Sequence, residues 1–371
     1  MPSFSTAYRS ALQAFSPTNF PYLRFAAALA LGAVGGWLFA RQRLPLPWML
    51  GSMTACTLAA LVRVPIAAPP VMRPPMSMLI GVMLGSAFSP QFLSQLGTWI
   101  ATIAGLILFL IISGAACVAY LRYVARFDLP TAYFAGMPGG LVEMVTLSSE
   151  HGGDSRMVAL FHTARILLIV FTLPFLVEFI GGVTLGARAS LGTSVADTPW
   201  ESGAWLAATA LAGALLGNLL NLRAAFLIGP MLASALVHVL GWTDFKPPTE
   251  IINGAQLVLG TIVGCSFIGT EPARILRILA LSLGTTVILL AATLLFAIGV
   301  SRMSTYGVVP LMLAYSPGGL AEMSLIALAL HVEVAFVAAH HIIRLFLVVT
   351  GASAVFSLLR SDRGGKSDGT G

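Results

Sequence analysis

Charge is what this chain has least of. Only 9% of its 371 residues are Asp, Glu, Lys or Arg, whereas 57% are hydrophobic and the mean hydropathy is +0.91. A soluble domain carries roughly 25% charged residues, so a water-covered globular surface is excluded. The apolar runs are far longer than the ~10-residue alternating strands of an outer-membrane barrel. What remains is an all-α polytopic membrane protein.

Cysteine is also scarce. Cys56, Cys117 and Cys265 all fall in apolar segments. An odd count inside spans gives neither a disulfide framework nor paired metal spacing, and packing is the expected role. No G-x-x-x-x-G-K-[ST] loop is present, which excludes ATP-driven pumping by this chain alone. No H-E-x-x-H or clustered Cys/His set supplies metal ligands. No basic helix or soluble module could enter a DNA groove. The sequence therefore implies no cofactor, no metal, no enzyme activity and no direct nucleic-acid partner. The partners it implies are the lipid bilayer and a small-molecule or ion substrate, with a homo-oligomer compatible.

What the chain does have is an internal echo. Pro138-Gly139-Gly140-Leu141-Val142-Glu143-Met144 returns as Pro317-Gly318-Gly319-Leu320-Ala321-Glu322-Met323, an offset of 179 residues with six of seven positions identical. After a further 17 residues each copy reaches His-x-x-Arg, His162 and Arg165 in the first, His341 and Arg344 in the second. The short segments repeat too, Gly81-x-x-x-Gly85 against Gly260-x-x-x-Gly264. The chain reads as two copies of one membrane unit.

The expected organisation is a cytoplasmic segment 1–21, a first membrane repeat 22–180, a polar linker 181–202, a second repeat 203–358 and a disordered tail 359–371. About 10–12 transmembrane helices are expected, with spans near 22–40, 46–62, 97–121, 131–149 and 157–180 in the first repeat. The second repeat places them near 203–221, 224–241, 278–300, 307–330 and 334–358. Segments 76–88 and 254–268 are under the ~20 residues of a full crossing. If they are re-entrant, each half crosses an odd number of times and the repeats are inverted. Counted as twelve crossings with the N-terminus inside, cytoplasmic segments hold twelve Lys/Arg and the opposite loops six. That bias favours both termini in the cytoplasm.

The Pro-Gly-Gly triplets, Pro138, Gly139, Gly140 and Pro317, Gly318, Gly319, lie in mid-segment. Proline removes a donor and clashes with the preceding turn, and paired glycines permit unwinding. The helix is expected to break there and restart, aiming N–H groups at a protein-lined or wet cavity. A pair of packing kinks is the structural alternative. Glu143 and Glu322 fall in the first turn of each restarted half-helix. A carboxylate within a bilayer costs at least ~2.5 kcal/mol, so a purpose is expected. Either they bind a coupling cation or proton, or they offset the helix dipole and pair with a nearby Arg. His162 with Arg165, and His341 with Arg344, share a helix face at i, i+3. The arginines lie too deep to snorkel. They either hold an anionic group or form a fixed ion pair with Glu143 and Glu322. His340 has Phe161 as its counterpart and is a weaker candidate. His151, Asp154, His331 and Glu333 read as solvated loop groups, and His238 as interfacial.

The doubled P-G-G-L-x-E-M … H-x-x-R pattern, over about residues 22–358, resembles the bacterial AbrB-type membrane protein family, which is characterised by an internal duplication. The resemblance implies inherited labels, "regulator of gene expression" and ammonia monooxygenase among them, although the residues offer no DNA-reading element and no copper ligand set. By fold-level analogy alone the broken helices also look like those of cation/proton antiporters and bile-acid symporters. The expected function is a secondary transporter of a small solute, with an anion among the candidates. A membrane-embedded regulator of gene expression acting through a partner is the alternative, and a membrane monooxygenase ranks last.

Overall fold

A computed structural model describes residues 16, 20–88, 90, 96–182, 194–222 and 224–364. Among them every regular element is helical. Six helices among the described residues are long and apolar enough to cross a membrane: α1 (Tyr22–Arg41), α4 (Ile100–Tyr123), α7 (Ser155–Gly181), α8 (Trp200–Leu219), α11 (Pro272–Ser301) and α14 (Val334–Gly364). Between them stand α2 (Pro47–Leu61), α3 (Arg73–Gly85), α5 (Leu129–Gly136), α6 (Leu141–Glu150), α9 (Ala225–Val239), α10 (Thr249–Cys265), α12 (Val308–Tyr315) and α13 (Leu320–Ala329). Pro74 and Pro75 do not interrupt α3. They sit in the first turn of α3, where a missing N–H is no loss. At the other end α14 continues to Gly364, into the stretch expected to be a tail; residues 365–371 lie outside the described residues, as do most of 1–21 and 183–193 of the linker.

The helices gather into two compact units, and each unit draws on both sequence halves. The first comprises Met1–Leu93, Val183–Ile275 and Leu328–Ala335, and so holds α1–α3 and α8–α10. Its helices cross through glycine. A Cβ on Gly81 would stand 3.3 Å from Met231 N, and one on Gly85 would stand 2.8 Å from Ala235 N. The numbers rise together, so α3 and α9 run parallel. Likewise a Cβ on Gly260 would meet Met49 C at 3.1 Å and one on Gly264 would meet Thr57 N at 3.1 Å, so α10 runs parallel to α2. Ser234 of α9 donates to Val82 O of α3 at 2.9 Å.

The remaining pairs are antiparallel. Gly32 of α1 lies by Ser52, Gly35 by Gly51 and Gly36 by Trp48 of α2, so one number falls as the other rises. Gly213 lies by Pro230 and Gly217 by Ala225, so α8 opposes α9. Glu250, at the start of α10, accepts from Val195 N–H at 3.0 Å and Ser194 Oγ at 2.9 Å just ahead of α8. Thus α8 and α10 start on one side. Since α1 opposes α2, and α2 runs with α10 and α8, α1 and α8 point in opposite directions. The triplets α1–α2–α3 and α8–α9–α10 are inverted with respect to each other.

The second unit comprises Ser94–Gly182, Leu276–Ala327 and Phe336–Gly371, with α4–α7 and most of α11–α14. Here α5 and α7 run parallel: Phe134 O meets His162 Nε2 at 2.9 Å, and Met137 O meets Arg165 Nη1 at 2.9 Å. Helix α6 returns between them, for Asp154 N donates to Thr131 Oγ1 at 2.8 Å, joining the end of α6 to the start of α5. The segment expected to cross at 131–149 is therefore a re-entrant hairpin with Pro138-Gly139-Gly140 at its tip. Half-helices of 8 and 10 residues reach only ~12–15 Å each at 1.5 Å per residue, and the triplet lets the chain reverse, closed by Gly139 N donating to Met137 O at 2.9 Å.

The segment at 307–330 does the same. Leu313 O meets His341 Nε2 at 2.9 Å, and the Tyr306 and Phe336 rings stack at 4.0 Å, so α12 and α14 start together and run parallel. Re-entry belongs to the Pro-Gly-Gly segments. The short α3 and α10, for which it was considered, each run opposite to the helix before them.

Candidate functional site

Helix α14 orders the centre of the second unit like a ruler. Near its start Phe336 stacks on Tyr306 at the base of the second hairpin. One turn on, His341 and Arg344 bond the end of α12 and the second tip. Leu345 and Val348 then lie against Gly140 and Gly139, their methyls 2.9 Å from where a Cβ would stand. Beyond them Ala352 O accepts from Tyr133 OH at 3.0 Å, and the Phe356 ring lies 5.1 Å from Phe134 and 5.1 Å from His151 at the base of the first hairpin. The hairpins enter from opposite ends, and their tips meet between Arg344 and Val348.

Each tip uses its charges in the same way. A helix end leaves carbonyls without partners, and the arginine three residues past the histidine takes them. Arg165 donates from Nη1 to Met137 O at 2.9 Å and from Nη2 toward Gly139 O at 3.4 Å. Arg344 donates from Nη1 to Ser316 O and from Nη2 to Gly318 O at 2.7 Å. Hydrogen bonds from a charged donor contribute about 1.5–3 kcal/mol each. Both guanidiniums are buried, 4% and 7% exposed, and among the described residues neither bonds Glu143 or Glu322. The ion pair weighed from the sequence is replaced by a guanidinium-to-backbone clasp. The two arginines lie close enough for their charges to act on each other.

Glu143 and Glu322 are half-buried, more open than the arginines. Each carboxylate folds back over the N-cap glycine of its own half-helix, filling the place where a Cβ on Gly140 or Gly319 would be. A carboxylate at the third helical position over the N-cap complements the positive end of the helix.

The histidines share one contact and differ in another. A carbonyl only accepts, so Nε2–H donates to Phe134 O in His162 and to Leu313 O in His341. Nδ1 is then a bare acceptor in the neutral ring. In His162 it takes Arg165 Nη2 at 2.8 Å, whereas His341 Nδ1 is buried with no partner. Ser316 Oγ, at the second tip, and Ser324 Oγ of α13 are buried without partners as well. The positions 179 earlier are Met137 and Val145, so the two tips are chemically unequal.

Sequence reasoning missed a supporting layer. Thr102 Oγ1 bonds His340 Nε2 at 2.9 Å, Tyr315 OH donates to Thr102 O at 2.5 Å, and Trp99 Nε1 donates to Tyr306 OH at 2.7 Å. None of these residues recurs at the 179 offset, which was the signal in use. His340 belongs to this layer. His238, read as interfacial, is buried and holds Ser234 O at 2.7 Å and Phe245 O at 2.9 Å. Asp154 caps α7 through Met157 N at 2.9 Å. Among the described residues no group of three His, Cys, Asp or Glu could hold a metal ion.

A family model described as "Transition state regulatory protein AbrB" matches residues 48–360. The chain is similar to "Uncharacterized protein YhjN" of Bacillus subtilis (strain 168), 27% identical over 370 residues, covering 92% of this chain and 94% of that protein. It is also similar to "Putative regulator AbrB" of Escherichia coli (strain K12), 25% identical over 330 residues, covering 85% of this chain and 91% of that protein.

Proposed function

The chain belongs to the AbrB family, and on that footing we propose that this membrane-spanning helical protein is a secondary transporter of a small solute in the bacterial inner membrane, both termini in the cytoplasm. One observation carries the reading: two re-entrant hairpins with inverted direction bring their broken tips together at the middle of α14. Non-helical backbone at that depth is tolerated only where it lines a protein or water cavity, and such breaks at an inverted pair suit alternating access.

The roles follow from what each group already holds. Arg165 and Arg344 fasten the tips to α7 and α14, with His162 and His341 beside them. Glu143 and Glu322 are the accessible groups, and a coupling cation or proton would meet them directly. An anionic solute would have to displace one of these carboxylates from its half-helix N-terminus. The test is solute-dependent flux in proteoliposomes under an imposed pH or ion gradient, with Glu143→Gln and Glu322→Gln beside the native chain. Coupled flux that either variant abolishes supports the reading; a folded protein that moves no screened solute overturns it.

The printed names favour a second reading, since the family description and the Escherichia coli relative both say regulator. In that case the tips would sense a ligand and a partner protein would carry the output. Partner capture that depends on Glu322 while flux is absent would select it.

A further inference from the structure

The first unit contains a pair of thiols that the transport reading does not use. Cys56 lies on α2, one turn and a half before its end, and Cys265 is the last residue of α10. Because these helices run parallel and touch through glycine, their ends stay together. A Cβ on Gly264 would stand only 2.7 Å from Cys56 Cβ, and the neighbouring Cys265 joins Cys56, Ala28, Ala59 and Ile66 in one buried cluster. Cys56 Sγ lies 3.6 Å from Ala28 O, within that cluster. Both cysteines are reduced, and they are 0% and 8% exposed.

Just past the pair, where both helices end, lies a cavity of about 300 Å³, lined by Ala60, Arg63, Val64, Ile268, Thr270 and Glu271 among others. Ile268 links the two, since it lines the cavity and packs on the thiol cluster. A water takes ~30 Å³ of liquid, so the space admits a small hydroperoxide with its hydration. Arg63, Thr270 and Glu271 give it polar lining at the helix ends.

We propose that Cys56 and Cys265 form an oxidisable dithiol, a modification site at which a small hydroperoxide makes a disulfide that ties α2 to α10. The first sulfur takes one oxygen from the hydroperoxide: the O–O bond breaks, a sulfenic acid forms, and water or an alcohol leaves. The second sulfur then attacks the sulfenic sulfur. The S–S bond forms, the S–O bond breaks, and the second thiol proton leaves with hydroxide as water. Two sulfurs are oxidised by one electron each, and one peroxide is reduced by two. The product joins the first sequence half to the second at the point where Gly260 and Gly264 cross α2.

This inference does not depend on transport. The experiment treats the full chain in lipid nanodiscs with hydrogen peroxide, quenches, denatures in detergent and labels free thiols with N-ethylmaleimide before peptide mass spectrometry. The expected result is that two of the three cysteines, Cys56 and Cys265, lose labelling together and appear as one linked peptide. Dithiothreitol should restore both, and Cys117→Ser should behave as the native chain does. Cys117, whose Sγ faces Thr285 O at 3.9 Å, should stay free throughout. Full labelling of Cys56 and Cys265 after peroxide, a link that includes Cys117, or a link between two chains would each overturn the proposal.

Discussion

Arg344 holds Gly318 by its carbonyl at 2.7 Å and takes the Ser316 carbonyl with its other Nη, so the second hairpin is fastened to the helix it runs beside. Arg165 reaches Gly139 O only at 3.4 Å and divides its Nη2 with His162. The second clasp is the tighter one.

From this difference, Arg344→Ala should lower unfolding stability by about 3 kcal/mol, the scale of two charge-assisted bonds lost, and Arg165→Ala by less. Arg344→Lys should recover little, because an ammonium lacks the planar fork that serves two carbonyls. Thermal unfolding in detergent measures all three. Equal losses at both arginines, or full rescue by lysine, would refute the clasp.

Gly319→Ala puts a methyl where the Glu322 carboxylate now lies. That obstacle is the far end of a flexible side chain, so stability should change by less than about 1 kcal/mol. Flux should fall nonetheless if the placement of Glu322 matters to coupling. Unchanged flux with a changed melting point would assign the glutamate a purely structural task.

The glycine crossings in the first unit should be stiffer. A Cβ on Gly85 would stand 2.8 Å from Ala235 N, which is backbone and cannot rotate away. Gly85→Ala should cost about 1–3 kcal/mol, as overpacking does. Gly203 meets nothing within 4 Å, and Gly203→Ala in α8 should be neutral or stabilising by up to ~1 kcal/mol. A melting comparison in which Gly203→Ala proves the worse of the two would contradict the crossing geometry.

Acid should release one surface contact. Glu250, fully exposed at the start of α10, has its carboxyl held below the usual range by its own backbone N–H, the Val195 N–H and the Ser194 hydroxyl. A depressed folded-state value means the contact contributes above the ordinary carboxylate value and is lost as pH falls through the depressed one. The protection of the Val195 amide, its hydrogen exchange relative to the intrinsic rate at each pH, should therefore fall on acidification in the native chain. In Glu250→Gln the protection should lack that step.

The sequence was enough for the class and for the repeated motif. Scarce charge and long apolar runs require a membrane, and a motif repeated at 179 residues needs no coordinates to be seen. The proline and the paired glycines also announce a helix break, because they act on their own backbone. What local chemistry cannot say is where the chain goes after the break. A straight crossing and a return satisfy Pro138-Gly139-Gly140 equally, and tertiary contacts such as the bond from Asp154 N to Thr131 Oγ1 select the return. The partner of each arginine was equally out of reach, since Glu143 and the carbonyls of Met137 and Gly139 lie at similar distances along the chain. Their depth and direction are set by α7 and α14 packing against the hairpins. Inversion, too, rests on which helix each glycine face meets, and those meetings are between residues about 150–210 apart. Periodicity and composition act over a few turns of chain; direction, pairing and the meeting of the two tips are properties of the packed helices.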